Sequence, residues 1–325
     1  MANGIINVPG MKGQFDKQID KMILEGYTKY PREYPKLAKT MTNQPGRQYT
    51  EAQITGLGAV REMADGAGVE FDTIAEGNKH SIWYRQFGLG FQVTQQTLED
   101  ELHGMVMKAA SNLGEQHAFR TDLDFMTMFA YGDTSSVVTS WDGKAPFADN
   151  HVTLKSGDTI NNIGSNDLSE TTLQAAFDYF YSDLVSEEGL PIDVNPNMLL
   201  VSSKNRWTAM RLMNQITGVT VLDAVGNTTG VQNDNDNVVN PKNGYLNAPY
   251  SVMTSRILSR LLAIKNEDAW FLLDSKKIQT LLLWKRQFTR KQFVDDMTDN
   301  VVVKGTMRYG VGVMDYKPMY GAFIA

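Results

Sequence analysis

Residues 58–93, GAVREMADGAGVEFDTIAEGNKHSIWYRQFGLGFQV, run directly into residues 94–131, TQQTLEDELHGMVMKAASNLGEQHAFRTDLDFMTMFAY. The first stretch reads as a ribbon. From Gly58 it rises through Val60, Glu62 and Met63 to a small, polar tip, Asp65-Gly66-Ala67-Gly68 and Glu76-Gly77-Asn78-Lys79-His80-Ser81. It returns through Ile82, Tyr84, Phe87, Leu89, Phe91 and Val93, with the aromatic and β-branched bias of half-buried strands. Glycines at 66, 68, 77, 88 and 90 supply turns and bulges. A lone two-stranded ribbon is marginal in water and its edges invite pairing, so this one is expected to rest on a neighbouring copy of the chain.

After Thr94 the apolar period changes from two to about 3.6. Leu98, Leu102, Met105, Ala109, Leu113 and His117 are spaced to share one helical face. Thr97 offers a cap, and Asp100 and Glu101 place negative charge in the first turn, where the helix dipole favours it. Continued through Phe125 and Met128 to Gly132, the helix is a rod of roughly 50 Å. Gly104 and Gly114 are expected to weaken or kink it.

Composition narrows the function. A chain of 325 residues with 42% apolar content buries a substantial core. Its net charge of −6 argues against a protein that wraps DNA on a basic surface, although a shell that merely encloses nucleic acid needs no such surface. No apolar run spans a bilayer and the N-terminus lacks the pattern of a signal peptide, so no membrane partner is expected. With no cysteine, disulfides, thiolate metal sites and cysteine nucleophiles are excluded together.

Outside the opening stretch, Phe15, Ile19, Met22 and Ile23 mark a short N-terminal helix. Asp167 and Ser169 offer caps for a helix carrying Leu173, Ala176, Phe177, Phe180 and Leu184. Met198–Val201 reads as a strand, 204–216 as a helix and 219–225 as another apolar stretch, an alternating α and β layer. Residues 226–244 are nearly all Asn, Asp, Gly, Thr and Val and read as a surface loop that includes Asn227, Asn233, Asn235 and Asn243. Strands are expected at 250–254, 261–264, 270–273, 281–284 and 301–316.

Catalytic signatures are weak. The histidines, His80, His103, His117 and His151, are far apart, and Asp149-x-His151 is the one loose acid–histidine pair. There is no phosphate loop, dinucleotide fingerprint or G-x-S-x-G elbow. A hydrolase using Asp149 and His151 is kept as the reading from a different class. The basic run Lys285-Arg286-Gln287-Phe288-Thr289-Arg290-Lys291 favours charge pairing between subunits, against Glu70, Asp72 and Glu76 of the ribbon or Asp295, Asp296 and Asp299. The competing reading is contact with enclosed DNA.

Four phrases in order carry a resemblance. They are Trp141-Asp142-Gly143-Lys144-Ala145-Pro146-Phe147-Ala148-Asp149-Asn150-His151 with the helix start Asn166-Asp167-Leu168-Ser169, then Gly189-Leu190-Pro191, then Pro196-Asn197-Met198-Leu199-Leu200-Val201-Ser202, then Asn266-Glu267-Asp268-Ala269-Trp270-Phe271-Leu272-Leu273-Asp274. With the order of arm, ribbon, long helix, mixed centre and C-terminal strands, the chain from about residue 10 onward resembles tailed-bacteriophage major capsid proteins of the Hong Kong 97-like fold. The Mu-like major head subunits are the group it resembles most.

The resemblance implies an α+β fold with an N-terminal arm (1–45), an extended β-hairpin loop (46–93), a spine helix and peripheral domain (94–165) and a mainly axial domain (166–265). The C-terminal strands (266–325) return through both domains. It implies a structural protein, without catalytic residues, cofactor or metal, self-assembling as hexamers and pentamers into an icosahedral head around double-stranded DNA. Assembly in the host cytoplasm is expected, with a portal, a decoration protein in some relatives, and a separate scaffolding protein, since no fused scaffolding domain is visible ahead of Met11. An encapsulin-type compartment shares the fold and is the nearest alternative. Glu70, Asp72, Glu76, Lys79, Arg286 and Arg290 are the expected intersubunit contacts. Lys79 beside Asn78 also matches the residue types of the lysine–asparagine cross-link found in some relatives.

Overall fold

The computed structural model describes residues 9–42, 45–66, 68–94, 96–97, 104–215, 251–295, 298 and 300–324. In chain order the strands are β1 (Lys39–Thr42), β2 (Gln48–Ile54), β3 (Glu76–Trp83), β4 (Arg85–Val93), β5 (His151–Val152), β6 (Thr159–Ile160), β7 (Ile163–Gly164), β8 (Met198–Val201), β9 (Ser251–Thr254), β10 (Trp270–Leu273), β11 (Thr280–Val294), β12 (Val301–Val313) and β13 (Met319–Ala322). The α-helices are α1 (Pro9–Lys29), α2 (Met105–Ala130), α3 (Glu170–Asp178), α4 (Arg206–Gln215) and α5 (Arg256–Lys265). The chain divides into two compact units. One takes the described residues of Met1–Tyr49, Ser81–Phe125 and Leu281–Val311, the other those of Thr50–His80, Met126–Thr280 and Gly312–Ala325.

The first unit is built on a sheet of order β1-β11-β12-β4. β1 runs parallel to β11 from Lys39↔Leu281, and β4 runs antiparallel to β12 from Val93↔Val301 to Arg85↔Tyr309. Alternate residues of β12, Val301, Val303, Gly305, Met307 and Tyr309, are buried, as the two-residue period of a strand with one covered face requires. Val301 and Val303 join Ile19 and Ile23 of α1 and Val106, Ala110 and Leu113 of α2 in one apolar cluster. The two helices meet at glycines: a Cβ on Gly114 would lie 2.1 Å from the Ile23 carbonyl oxygen, and one on Gly26 2.1 Å from that of Ser111. Buried Asp122 accepts from the backbone N–H groups of Glu33 and Tyr34 at 3.1 and 3.0 Å, tying the short 3-10 turn Tyr34–Lys36 to α2.

The second unit holds a five-stranded sheet, β7-β13-β10-β8-β9. Its central strands β8 and β10 are buried at every position, which is why they read as unbroken apolar runs. Leu199, Val201, Trp270 and Leu272 pack with Leu173, Ala176, Tyr179 and Phe180 of α3 and the π-helical turn Tyr179–Asp183 that follows it. Phe271, one residue out of phase, meets Phe129, Phe147 and Phe323 at ring-centroid distances of 5.3–5.7 Å. Ser169 caps α3 through a reciprocal box with Thr172.

Several expectations need correction. Residues 82–93 are not one returning strand: the run breaks at Tyr84, β3 pairs with β2, and β4 leaves to join β12. The ascending strand is β2, earlier than the expected 58–63, and Glu76–Ser81 lies within β3 instead of at a tip. The long helix begins at Met105, after Gly104 in the left-handed region at φ 64°, and 26 residues make it roughly 40 Å long. Met105 is exposed while Val106, Ala110, Leu113 and His117 are buried, so the expected face is out of phase at its start. Leu98 and Leu102 lie outside the described residues, as do Val219–Val225 and the 226–244 loop with Asn227, Asn233, Asn235 and Asn243. Residues 261–264, expected as a strand, belong to α5. Ser255 Oγ accepts from Leu258 N at 3.0 Å and Ile257, Leu258 and Leu262 form its buried face, a period that a four-residue window does not reveal.

Candidate assembly surfaces

The ribbon's base is β2 paired with β3, closed by Thr55: its N–H donates to the Ala75 carbonyl at 3.0 Å, and its Oγ1 accepts from Ala75 N at 2.8 Å. Beyond that clasp, the described residues of 56–74 form no helix or strand. They are held by a few polar contacts. Gly58 N donates to Asp72 Oδ2 at 2.7 Å, and both Asp72 oxygens lie 2.6 Å from Lys155 Nζ. The Lys155 ammonium and the N–H groups of Gly58 and Thr73 hold the Asp72 carboxyl down at about 2. Gly56 N donates to the Glu188 carboxylate.

Among its charges this segment exposes a row of large apolar side chains. Leu57, Val60, Met63, Val69, Phe71 and Ile74 all stand in solvent, Val60 at 99% and Phe71 at 95%. An exposed apolar row of this density marks a contact surface. Fully burying one such side chain is worth about 1.5–3 kcal/mol, whereas an exposed ion pair contributes at most about 1 kcal/mol. The apolar row therefore outweighs the charges in what the ribbon offers another surface.

The sequence had nominated those charges, and the structure gives most of them partners within the chain. Glu70 lies 3.0 Å from Arg61, Asp72 pairs with Lys155, and Lys79 pairs with Glu76 at 3.1 Å. Arg290 grips Asp20 of α1 with two nitrogens, at 2.5 and 3.1 Å, and Arg286 donates to Thr306 Oγ1 at 3.4 Å. None of the four ribbon residues meets Arg286 or Arg290. Sequence reasoning passed over Leu57, Phe71 and Ile74, although a run of large apolar residues in a glycine-rich, turn-like stretch is the available signal.

A second surface is a groove of about 480 Å³ in the first unit, lined by Phe87 and Leu89 of β4, Phe119, Arg120 and Leu123 of α2, and Met307 of β12. Arg120 lies over the Phe87 ring at 4.9 Å and pairs with Asp124 at 2.7 Å. The groove is largely apolar, with Gln116, His117 and the Asp124-paired Arg120 as its polar lining.

The pair proposed for hydrolysis is not assembled. Asp149 is exposed, and His151 Nδ1 meets Asp142 Oδ2 at 2.5 Å instead. Burial would raise the Asp142 carboxyl, but hydrogen bonds from His151 and Ser140 hold it below the ordinary carboxylate range. Ser140 Oγ donates to Asp142 at 2.5 Å, not to the imidazole, so the histidine is not placed to activate that hydroxyl. His151 has no exposed surface and stacks on Tyr316 at 3.6 Å, so no substrate reaches it. Nearby, buried Lys317 and Glu187 pair directly. Burial pushes the Asp315 carboxyl up to about 6, against the opposing pull of Lys317. This cluster is structural, tying the 140–153 loop to residues 315–317.

Among the described residues, no group of three or more histidines and carboxylates is placed to hold a metal ion, and no helix is long and apolar enough to cross a membrane.

Known proteins share both a sequence family and a fold with this chain. The family model described as phage capsid protein matches residues 85–322. No curated protein sequence matches the chain. Solved structures of phage capsids and related particles share the fold, among them these three. The mature capsid of bacteriophage PhiM1 superposes with a TM-score of 0.59 at 11% identity, over 91% of this chain and 88% of that one. The capsid of cyanophage P-SCSP1u gives 0.56 at 11% identity, over 91% and 89%. The capsid of a native GTA particle gives 0.55 at 12% identity, over 90% and 89%.

Proposed function

We propose, from the premise that the chain belongs to the phage capsid protein family, that it is the major head protein of a tailed bacteriophage. Its copies form hexamers and pentamers and close into an icosahedral shell around double-stranded DNA. The observation that carries the assembly reading is the apolar row Leu57–Ile74, extended from its own unit with Val60 and Phe71 almost wholly in water. On this reading a second copy covers the row, and the groove beside Phe87, Leu89 and Phe119 is its receptor. Both surfaces are apolar, so covering one with the other removes both from water. The Hong Kong 97-like division into arm, extended loop, peripheral and axial domains is part of the same proposal. So are a separate scaffolding protein and a portal.

Negative-stain imaging of the purified chain, with nuclease-protected DNA measured in parallel, tests the reading. Large closed shells protecting double-stranded DNA are expected from phage-infected or packaging-competent cells. Small shells holding protein cargo would replace the head reading by an enzyme compartment, and dispersed monomers at assembly concentrations would defeat both.

A further inference from the structure

The chain as a whole is acidic, with 37 Asp and Glu against 31 Lys and Arg, yet one sheet inverts that balance. Strands β1, β4, β11 and β12 carry eight Lys and Arg residues and no carboxylate. The face turned away from the helices is set by the β4–β12 register, because paired residues share a face. Val302, Lys304, Thr306 and Arg308 lie there opposite Gln92, Gly90, Gly88 and Gln86. Lys304 Nζ sits 4.9 Å over the Phe293 ring, which puts Phe293 of β11 on the same face, and Lys291 two residues earlier follows by alternation. Lys285 lies 5.8 Å over the Tyr84 ring, and the Arg308 charge acts on that same phenol. The result is a cationic face of Lys285, Lys291, Lys304 and Arg308 interleaved with amides and hydroxyls.

We infer that this sheet face binds the phosphate backbone of double-stranded nucleic acid without reading sequence. Three observations favour that occupant over an acidic segment of another copy. The ribbon carboxylates Glu70, Asp72 and Glu76 already have cationic partners in their own chain. Among its described residues the β4–β12 part of the face presents mainly Lys, Arg, Gln, Thr and Gly, and the exposed ring of Phe293 lies under the Lys304 ammonium. Gly88 and Gly90 leave bare backbone beside Lys304 and Thr306, so a phosphate can come close. A Cβ at Gly90 would crowd the Val303 carbonyl oxygen at 2.8 Å and Lys304 Cβ at 3.0 Å. Cations for the phosphates, with Gln and Thr donors between them, are what non-specific backbone binding uses. The inference rests on the shell reading for its biological setting, since it places this face toward the enclosed genome.

The test uses the full chain as unassembled subunits and a fluorescent duplex of about 30 base pairs of random sequence, titrated between about 50 and 200 mM salt, where each phosphate neutralised adds about 0.9 to the slope of log affinity against log salt. Four contacts give a slope of about −3 to −4, and Lys304→Gln/Arg308→Gln should bring it to about −2. Lys17→Gln/Lys36→Gln, an equal loss of charge elsewhere in the same unit, should leave it unchanged. An unaltered slope in the first variant overturns the inference. So does loss of empty shells in that variant with duplex binding intact, which would make the face a contact between copies. Absence of shells from the parent chain would instead count against the head reading, and the subunit salt slope would still decide the inference separately.

Discussion

Asp315 is the residue whose chemistry gives the sharpest test of the second unit's interior. Its carboxyl is pushed up to about 6 by burial, and its oxygen accepts the Lys317 N–H at 3.0 Å. A carboxyl with a folded pKa above its unfolded value binds its proton more tightly in the folded chain. Its penalty is absent at acid pH, grows as the pH rises from about 4 to about 6, and is constant above, at roughly 3 kcal/mol for a shift of about two units. An amide of the same shape keeps the acceptor and loses the charge, and Lys317 retains Glu187 as its partner. Asp315→Asn is therefore expected to melt higher than the parent at pH 8 and to lose most of that advantage at pH 4. An equal gain at both pH values would show that charge burial is not the cause.

At the scale of elements, the crossing of α1 and α2 depends on having no side chain at two positions. Alanine is favoured over glycine inside a helix by about 1 kcal/mol, so propensity alone predicts that Gly114→Ala stabilises. The geometry predicts the reverse. The new methyl would stand 2.1 Å from the Ile23 carbonyl oxygen and 2.7 Å from Tyr27 N, both backbone atoms that move only with their helix. Overpacking of this kind costs typically about 1–3 kcal/mol, enough to reverse the propensity gain. Gly114→Ala should lower the melting temperature and loosen α1, seen as faster proteolysis near Ile19 and Ile23. A higher melting temperature with α1 still protected would mean that the helices separate at no cost.

For the whole molecule, folding and assembly are expected to be separable, because the ribbon gives little to its own unit and much to its surroundings. Thr55 and Ala75 are already hydrogen-bonded across the base, so an Asn-Gly turn can replace residues 57–74 without moving either end. The excision removes mainly the solvent-exposed contacts at Asp72 and Arg61 from the subunit. Melting of the subunit should change by no more than a few degrees, while closed shells fail to form. Particles of normal size from the excised chain would show that the apolar row is not needed between copies.

The sequence by itself determined the elements whose cause lies within a few residues. The Ser169 cap, the apolar runs Met198–Val201 and Trp270–Leu273, and the buried positions Leu113 and His117 of the long helix were all legible, because capping and apolar period are local properties. Tertiary structure decided the partners. Nothing near Tyr84 states that β3 belongs to β2 and β4 to β12, and the ladder partner of β4 lies more than two hundred residues further along the chain. Gly114 reads locally as a weak point, yet a backbone some ninety positions earlier makes it a requirement. His151 has Asp149 two residues away in sequence and Asp142 in contact, because the fold of the loop, not proximity along the chain, fixes which carboxylate faces the ring. The charges of β11 and β12 were visible as letters. That Lys285, Lys291, Lys304 and Arg308 share a face while Arg290 turns to Asp20 of α1 follows from strand alternation and register, which exist only once the sheet is paired.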